Sequence, residues 1–119
     1  MTYEELQEKV LEWADKKDLL HEENAEKQFM KFIEEIFEFK TEFDMWMYGG
    51  EILKPVNPEH VKDEMGDIFV TLTILCEQIG IDPEECLSMA YNKISKRKGR
   101  TINGNFYKQE DLEGMEWEK

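Results

Sequence analysis

The chain has 119 residues, with 28 Asp and Glu against 15 Lys and Arg and a formal charge of −13 at pH 7. That balance argues against a broad electrostatic grip on DNA, RNA or an anionic membrane, but leaves room for a small phosphorylated ligand, because a local site can reverse the global field. One domain of this size (1–119) buries roughly two-thirds of the surface its unfolded form exposes and needs no staples. Cys76 and Cys86 stand in apolar helical surroundings without metal-type spacing, so both are expected as reduced, buried thiols. With no secretory pattern at the amino terminus and no apolar stretch long enough to span a bilayer, the expectation is a soluble cytoplasmic protein.

Thr2 and Glu5 form a capping-box pair, and Leu6, Val10, Trp13 and Ala14 recur at helical spacing, which predicts a first helix to about Lys17. Asn24 is placed to cap a second helix on which Phe29, Ile33, Ile36, Phe37 and Lys40 share a face, running toward Tyr48 until Gly49-Gly50 stops it. Two glycines and Pro55 mark a loop from Gly49 to Asn57, and Asn57-Pro58 supplies a cap followed by proline at the first helical position. The third helix carries Val61, Met65, Ile68, Phe69, Leu72, Leu75, Cys76 and Ile79 as an apolar stripe, broadened by Val70 and Ile74, and is expected to be the most buried. Gly80 ends it, and Asp82-Pro83-Glu84-Glu85 starts a fourth helix that runs to about Arg97. From about residue 99 the chain changes character. Ile102-Asn103-Gly104-Asn105-Phe106 reads as a tight turn between two short extended pieces, followed by an acidic tail from Gln109 to Lys119. The fold class is therefore all-α: a helical body over about 2–98 with a short irregular or hairpin-like tail over about 99–119.

Two carboxylate motifs carry most of the chemical information: Glu34-Glu35-x-x-Glu38 on the second helix and Glu64-x-x-Asp67 on the third. At about 100° per residue, Glu34, Glu35 and Glu38 fall within an arc of about 100°, and Glu64 and Asp67 lie about 60° apart. Five acidic groups can thus converge on one small volume, where hard oxygen ligands suit Mg²⁺ or Mn²⁺. Acidic residues on a helix are more often just its solvated face. Here, however, Glu35, Glu38, Glu64 and Asp67 adjoin Ile36, Phe37, Met65 and Ile68, at the border of the packing face, where a carboxylate needs a partner. Lys31, three before Glu34 and four before Glu35, is the nearest local partner and could equally reach a phosphate oxygen held over that face.

A second cluster, Lys93, Lys96, Arg97, Lys98 and Arg100, puts five of the fifteen basic residues within eight positions. Lys93, Lys96 and Arg97 share a helical face with Asn92 beside them. They read either as cations complementing a helix C-terminus or as the basic half of a polyphosphate site. A di-iron bundle would need Glu-x-x-His on two helices, which neither His21 nor His60 supplies, and no EF-hand loop is present. Trp13, Phe43, Trp46 and Tyr48 are aromatic candidates for stacking a base, with core or subunit interface as the plainer role.

The two acidic motifs in order on consecutive helices, with the Asn92-Lys93-x-x-x-Arg97 segment and the flanking Lys27-Gln28-x-x-Lys31 and Arg97-Lys98-Gly99, resemble the MazG-like nucleoside triphosphate pyrophosphohydrolases. The resemblance extends from about Trp13 to the Asn103-Gly104 turn. It implies a four-helix MazG-like bundle and Mg²⁺-dependent cleavage of a nucleoside triphosphate between the α and β phosphates, giving the monophosphate and pyrophosphate. By the same resemblance Glu34, Glu35, Glu38, Glu64 and Asp67 would bind the metal, with Mn²⁺ as a substitute. Glu35 or Glu38 would activate water, and Lys31, Asn92, Lys93 and Arg97 would hold the phosphates. The family also implies a homodimer or homotetramer. Two other readings stay open at this point: a catalytically idle nucleotide-binding or regulatory protein of the same fold, and a structural helical module whose acidic residues are surface.

Overall fold

The computed structural model describes residues 1–49 and 57–116. The chain is mostly helical with one small two-stranded sheet, and it divides into two compact units, Met1–Pro83 and Glu84–Lys119. The loop expected over Gly49–Asn57 and the last three residues of the acidic tail lie almost wholly outside the described residues.

The first unit contains α1 (Tyr3–Lys16), α2 (Ala25–Tyr48) and α3 (Pro58–Gln78). The capping box forms as expected: the Glu5 amide donates to the Thr2 hydroxyl at 3.1 Å, and the Thr2 amide donates to Glu5 Oε1 at 3.4 Å. Helices α1 and α3 end alike. After α1, the Leu19 amide donates to the Ala14 carbonyl and the Asp18 amide to the Asp15 carbonyl; after α3, Ile81 donates to Cys76 and Gly80 to Glu77. Both are Schellman-type closures, with Asp18 (φ 59°) and Gly80 (φ 75°) in the left-handed region that such a closure requires. The first closure folds Leu19 back over the fully buried Ala14, and Gln78 Nε2 then donates to the Leu19 carbonyl at 2.8 Å, tying the end of α3 to the turn after α1.

Asn24 takes the position before α2 but makes no capping bond, contrary to expectation. A 3₁₀ turn over Glu22–Asn24 runs straight into the helix, so Asn24 has a helical backbone instead of the extended one from which a side chain caps. Asn57 does cap α3, accepting from the Glu59 amide at 2.9 Å.

Helix α3 packs against both α1 and α2 and is the most buried helix, as its sequence implied. The expected stripe is covered only in part: Ile74 and Cys76 are buried and Val61, Met65, Ile68, Val70, Leu72 and Leu75 half-buried, while Phe69 and Ile79 are exposed and the polar Thr71, Thr73 and Gln78 are buried alongside. Phe69 meets Tyr3 of α1 edge-on, with ring centroids 6.2 Å apart. On α2 the expected apolar face is likewise turned out: Phe29, Ile36 and Phe37 are exposed, and the helix's buried residue is Glu35.

The second unit contains α4 (Pro83–Ile94), the antiparallel strands β1 (Gly99–Ile102) and β2 (Asn105–Lys108), and α5 (Gln109–Glu116). Helix α4 stops at Ile94, three residues short of the expected end. The Ser95 amide still donates to Tyr91, but Arg97 donates to Ile94 in a tighter turn, and by Gly99 the chain is paired with Lys108. Arg97 is therefore not on one helical face with Lys93, as its spacing suggested. Cys86 on α4 is exposed, against the expected burial, and Cys76 is buried. The Asn103-Gly104 turn forms with both residues at positive φ (50° and 83°), the geometry that matches a two-residue hairpin to strand twist. Part of the acidic tail is helical: α5 packs on both strands and buries Leu112. At Gly99 a Cβ would lie 2.1 Å from the Tyr107 carbonyl oxygen and 2.8 Å from the Phe106 ring, so the hairpin closes around a missing side chain. Among the described residues no helix is long and apolar enough to cross a membrane.

Candidate metal centre

Where α2 packs on α3, Glu35, Glu64 and Asp67 each present a carboxylate oxygen, and these oxygens lie within 4.8 Å of one another. Glu35 is only 7% exposed, and Glu64 and Asp67 are half-buried. One buried oxygen of Glu35 (Oε2) and one of Glu64 (Oε2) have no hydrogen-bond partner. An unpaired carboxylate oxygen away from water is expensive, so the cluster asks for protons or a cation. Burial, and then the charges of Glu38, Asp67, Glu35 and Asp63, hold Glu64 above the ordinary carboxylate range. Asp67 is raised by burial and by Asp63 and Glu35, against the lowering influence of Lys31. The donor set, three hard anionic oxygens with two buried acceptors unused, fits Mg²⁺ or Mn²⁺.

The five acidic positions of the sequence motifs thus separate. Glu35, Glu64 and Asp67 converge. Glu38 is exposed on α2, yet its charge is the strongest of those acting on Glu64. Glu34 points to solvent and pairs with Lys31, whose Nζ is 3.7 Å from Glu34 Oε2 and 3.4 Å from Glu35 Oε1. Asn92 and Lys93 are exposed on α4 and Arg97 lies in the turn beyond it; all three belong to the second unit, whereas the carboxylate cluster is built within the first.

A cavity of about 340 Å³ adjoins the cluster, lined by Trp13, Leu19, Gln28, Lys31, Glu35, Asp67, Val70, Thr71 and Ile74. It is at the small end of ligand pockets and has both charged and apolar residues in its lining. Of the four aromatic candidates for stacking, Trp13 lines it; Phe43, Trp46 and Tyr48 do not. A second, more open cavity of about 660 Å³ lies along the first half of α3, lined by Glu59, His60, Lys62, Asp63, Gly66, Asp67 and Val70, so Asp67 borders both.

Three contributors went unread in the sequence. Asp63, one turn before Asp67, adds to the repulsion at both α3 carboxylates, a role its four-residue spacing could have signalled. Gln28 Nε2 donates to the Thr71 carbonyl at 3.3 Å, fixing α2 against α3 one turn from the cluster. The Thr71 hydroxyl itself donates to the carbonyls of Asp67 (3.1 Å) and Ile68 (2.9 Å), bracing the turn that carries Asp67. The latter two are long-range or side-chain-to-backbone contacts with no pattern of their own in the sequence.

Fold and site together define a small, mostly helical protein with a partly buried carboxylate cluster beside a mixed cavity. Over 76 residues, 61% of this chain, it is 32% identical to a protein of Haemophilus phage HP1 (strain HP1c1) described as an uncharacterized 18.2 kDa protein in the rep-hol intergenic region. The matched stretch spans about two-fifths (39%) of that curated relative's length. No family model matches the chain, and no solved structure matches it significantly.

Proposed function

We propose that this protein is a divalent-metal-dependent nucleoside triphosphate pyrophosphohydrolase built on a MazG-like four-helix bundle, releasing the nucleoside monophosphate and pyrophosphate. The observation that carries the reading is the convergence of Glu35, Glu64 and Asp67 within 4.8 Å with two buried carboxylate oxygens unpaired. Those three residues would hold Mg²⁺. When bound, the ion supplies neutralisation of the phosphates and activation of water, so no covalent nucleophile is required of the protein. Glu38, close enough to act on Glu64 but exposed, is the residue left to orient and deprotonate the attacking water. Trp13 offers an aromatic face to a base in the adjoining cavity, which Lys31 lines together with Glu35 and Asp67. The apolar side chains left exposed on α2, among them Phe37 at 68%, support a homodimer or homotetramer.

The test is release of pyrophosphate, as distinct from orthophosphate, from a panel of ribo- and deoxynucleoside triphosphates with Mg²⁺. The parent is expected to form pyrophosphate and monophosphate. Glu38→Gln should lose turnover by about 10²-fold or more while still gaining thermal stability from Mg²⁺, as expected for loss of a general base. Stabilisation by triphosphates without turnover in the parent would instead mark an idle nucleotide-binding protein.

A further inference from the structure

We propose that Lys31 is a built-in placeholder for the cation: its ammonium neutralises Glu35 until a divalent ion takes that carboxylate, and is then released to grip an anionic phosphate-bearing ligand. The inference rests on the metal-centre reading above and adds a coupling between the two binding events.

Lys31 Nζ lies 3.4 Å from Glu35 Oε1 and 3.7 Å from Glu34 Oε2, so one ammonium serves a buried and an exposed carboxylate together. The two ends differ in freedom. The Lys31 side chain is 53% exposed and its stem is flexible, whereas the Glu35 side chain is 9% exposed and held. Among the charges acting on Asp67, Lys31 is the one that favours its ionised form; the others are carboxylates. As an ordinary helix-stabilising pair the arrangement is poorly oriented, because Lys precedes Glu by four, the weaker order against the helix dipole. As a counter-ion for a site that must stay ionised it is well placed.

A divalent ion sharing Glu35 would put two cations within a few ångströms of each other. The ion is held by several carboxylates and the lysine by a rotatable stem, so the lysine is the one to leave. Lys31 also lines the cavity that holds Trp13 and Asp67, which gives the freed ammonium a ligand-facing position. Binding of cation and of phosphate anion then reinforce each other, and by linkage the coupling is reciprocal.

The experiment compares the full chain with Lys31→Met, Lys31→Arg and Lys9→Met, the last removing an exposed lysine that pairs with Glu12 on α1. Mn²⁺ binding to the protein alone is followed by loss of the free-ion EPR signal, and binding of inorganic pyrophosphate by calorimetry in saturating Mn²⁺. Removing the competing charge should tighten Mn²⁺ binding by about fivefold in Lys31→Met and weaken pyrophosphate binding by about tenfold. Lys31→Arg, which keeps the positive charge, and Lys9→Met, which removes a solvent-exposed one that pairs outside the cluster, should both stay within about twofold of the parent on both measurements. Unchanged or weaker Mn²⁺ binding in Lys31→Met overturns the proposal, as does tighter Mn²⁺ binding with pyrophosphate affinity unaltered. A parent that binds no Mn²⁺ overturns the metal centre itself, which tells that failure apart from one at Lys31.

Discussion

The two halves of α3 bury polar groups in opposite ways. In the second half the Thr71 and Thr73 hydroxyls donate to carbonyls of their own helix, Thr73 to Phe69 at 2.7 Å, and Gln78 donates across to Leu19. One neutral acceptor, Gln78 Oε1, is left over. In the first half Glu64 and Asp67 face Glu35, and oxygens of full carboxylates go unpaired. A neutral amide oxygen without a partner costs far less than a charged one, so the second half reads as finished structure and the first as a site awaiting a ligand.

If that contrast is right, the second half should be sensitive to packing alone. Ile74, 2% exposed, is the largest apolar side chain buried there, and Ile74→Ala should cost about 3 kcal/mol in chemical denaturation. The first half should instead respond to a cation. Mg²⁺ at about 100 times its dissociation constant should stabilise the protein by about 2.7 kcal/mol. Glu35→Gln should abolish that gain while melting at or above the parent without Mg²⁺, because it removes a like charge from the cluster. A Glu35→Gln protein that still gains would break the comparison. The finest test is pH. Glu64 and Asp67 are held above their unfolded values, so between the two the native state keeps protons that the unfolded chain has lost. Without divalent cation, the contribution of these two groups to stability should therefore be fully present below the ordinary carboxylate range and be lost as pH rises through the raised values. Saturating Mg²⁺, which requires the ionised forms, should flatten or reverse that decline, as read by melting temperature across pH.

Much of this was legible in the residues. Thr2 with Glu5, Asn57 before Pro58, and Gly80 mark helix ends because capping is a local interaction that leaves a local signature. The approach of Glu35 to Glu64 and Asp67 followed from helical spacing on consecutive elements. The sidedness of α2 did not. A periodic apolar pattern says that a face is to be covered but not by what, and here Glu35 faces inward while Phe37 faces out. The end of α4 was misjudged for a related reason. Lys96, Arg97 and Lys98 are good helix formers, and the demand that ended the helix came from Gly99 having to meet Lys108 in the hairpin. Asn24 has a capping residue's chemistry but stands in a 3₁₀ turn whose backbone withholds the geometry. The order of the acidic tail turned on a single residue, Leu112, whose burial against the strands no repeat announced.

Gly99 is exposed at the start of β1, where surface position alone would imply tolerance. The Tyr107 carbonyl occupies the space of its absent Cβ, and because that obstacle is backbone, no rotamer change relieves it. In a saturation library position 99 would be depleted of every side chain, alanine included, and would score like a core residue while its strand neighbours Arg100 and Thr101 vary freely.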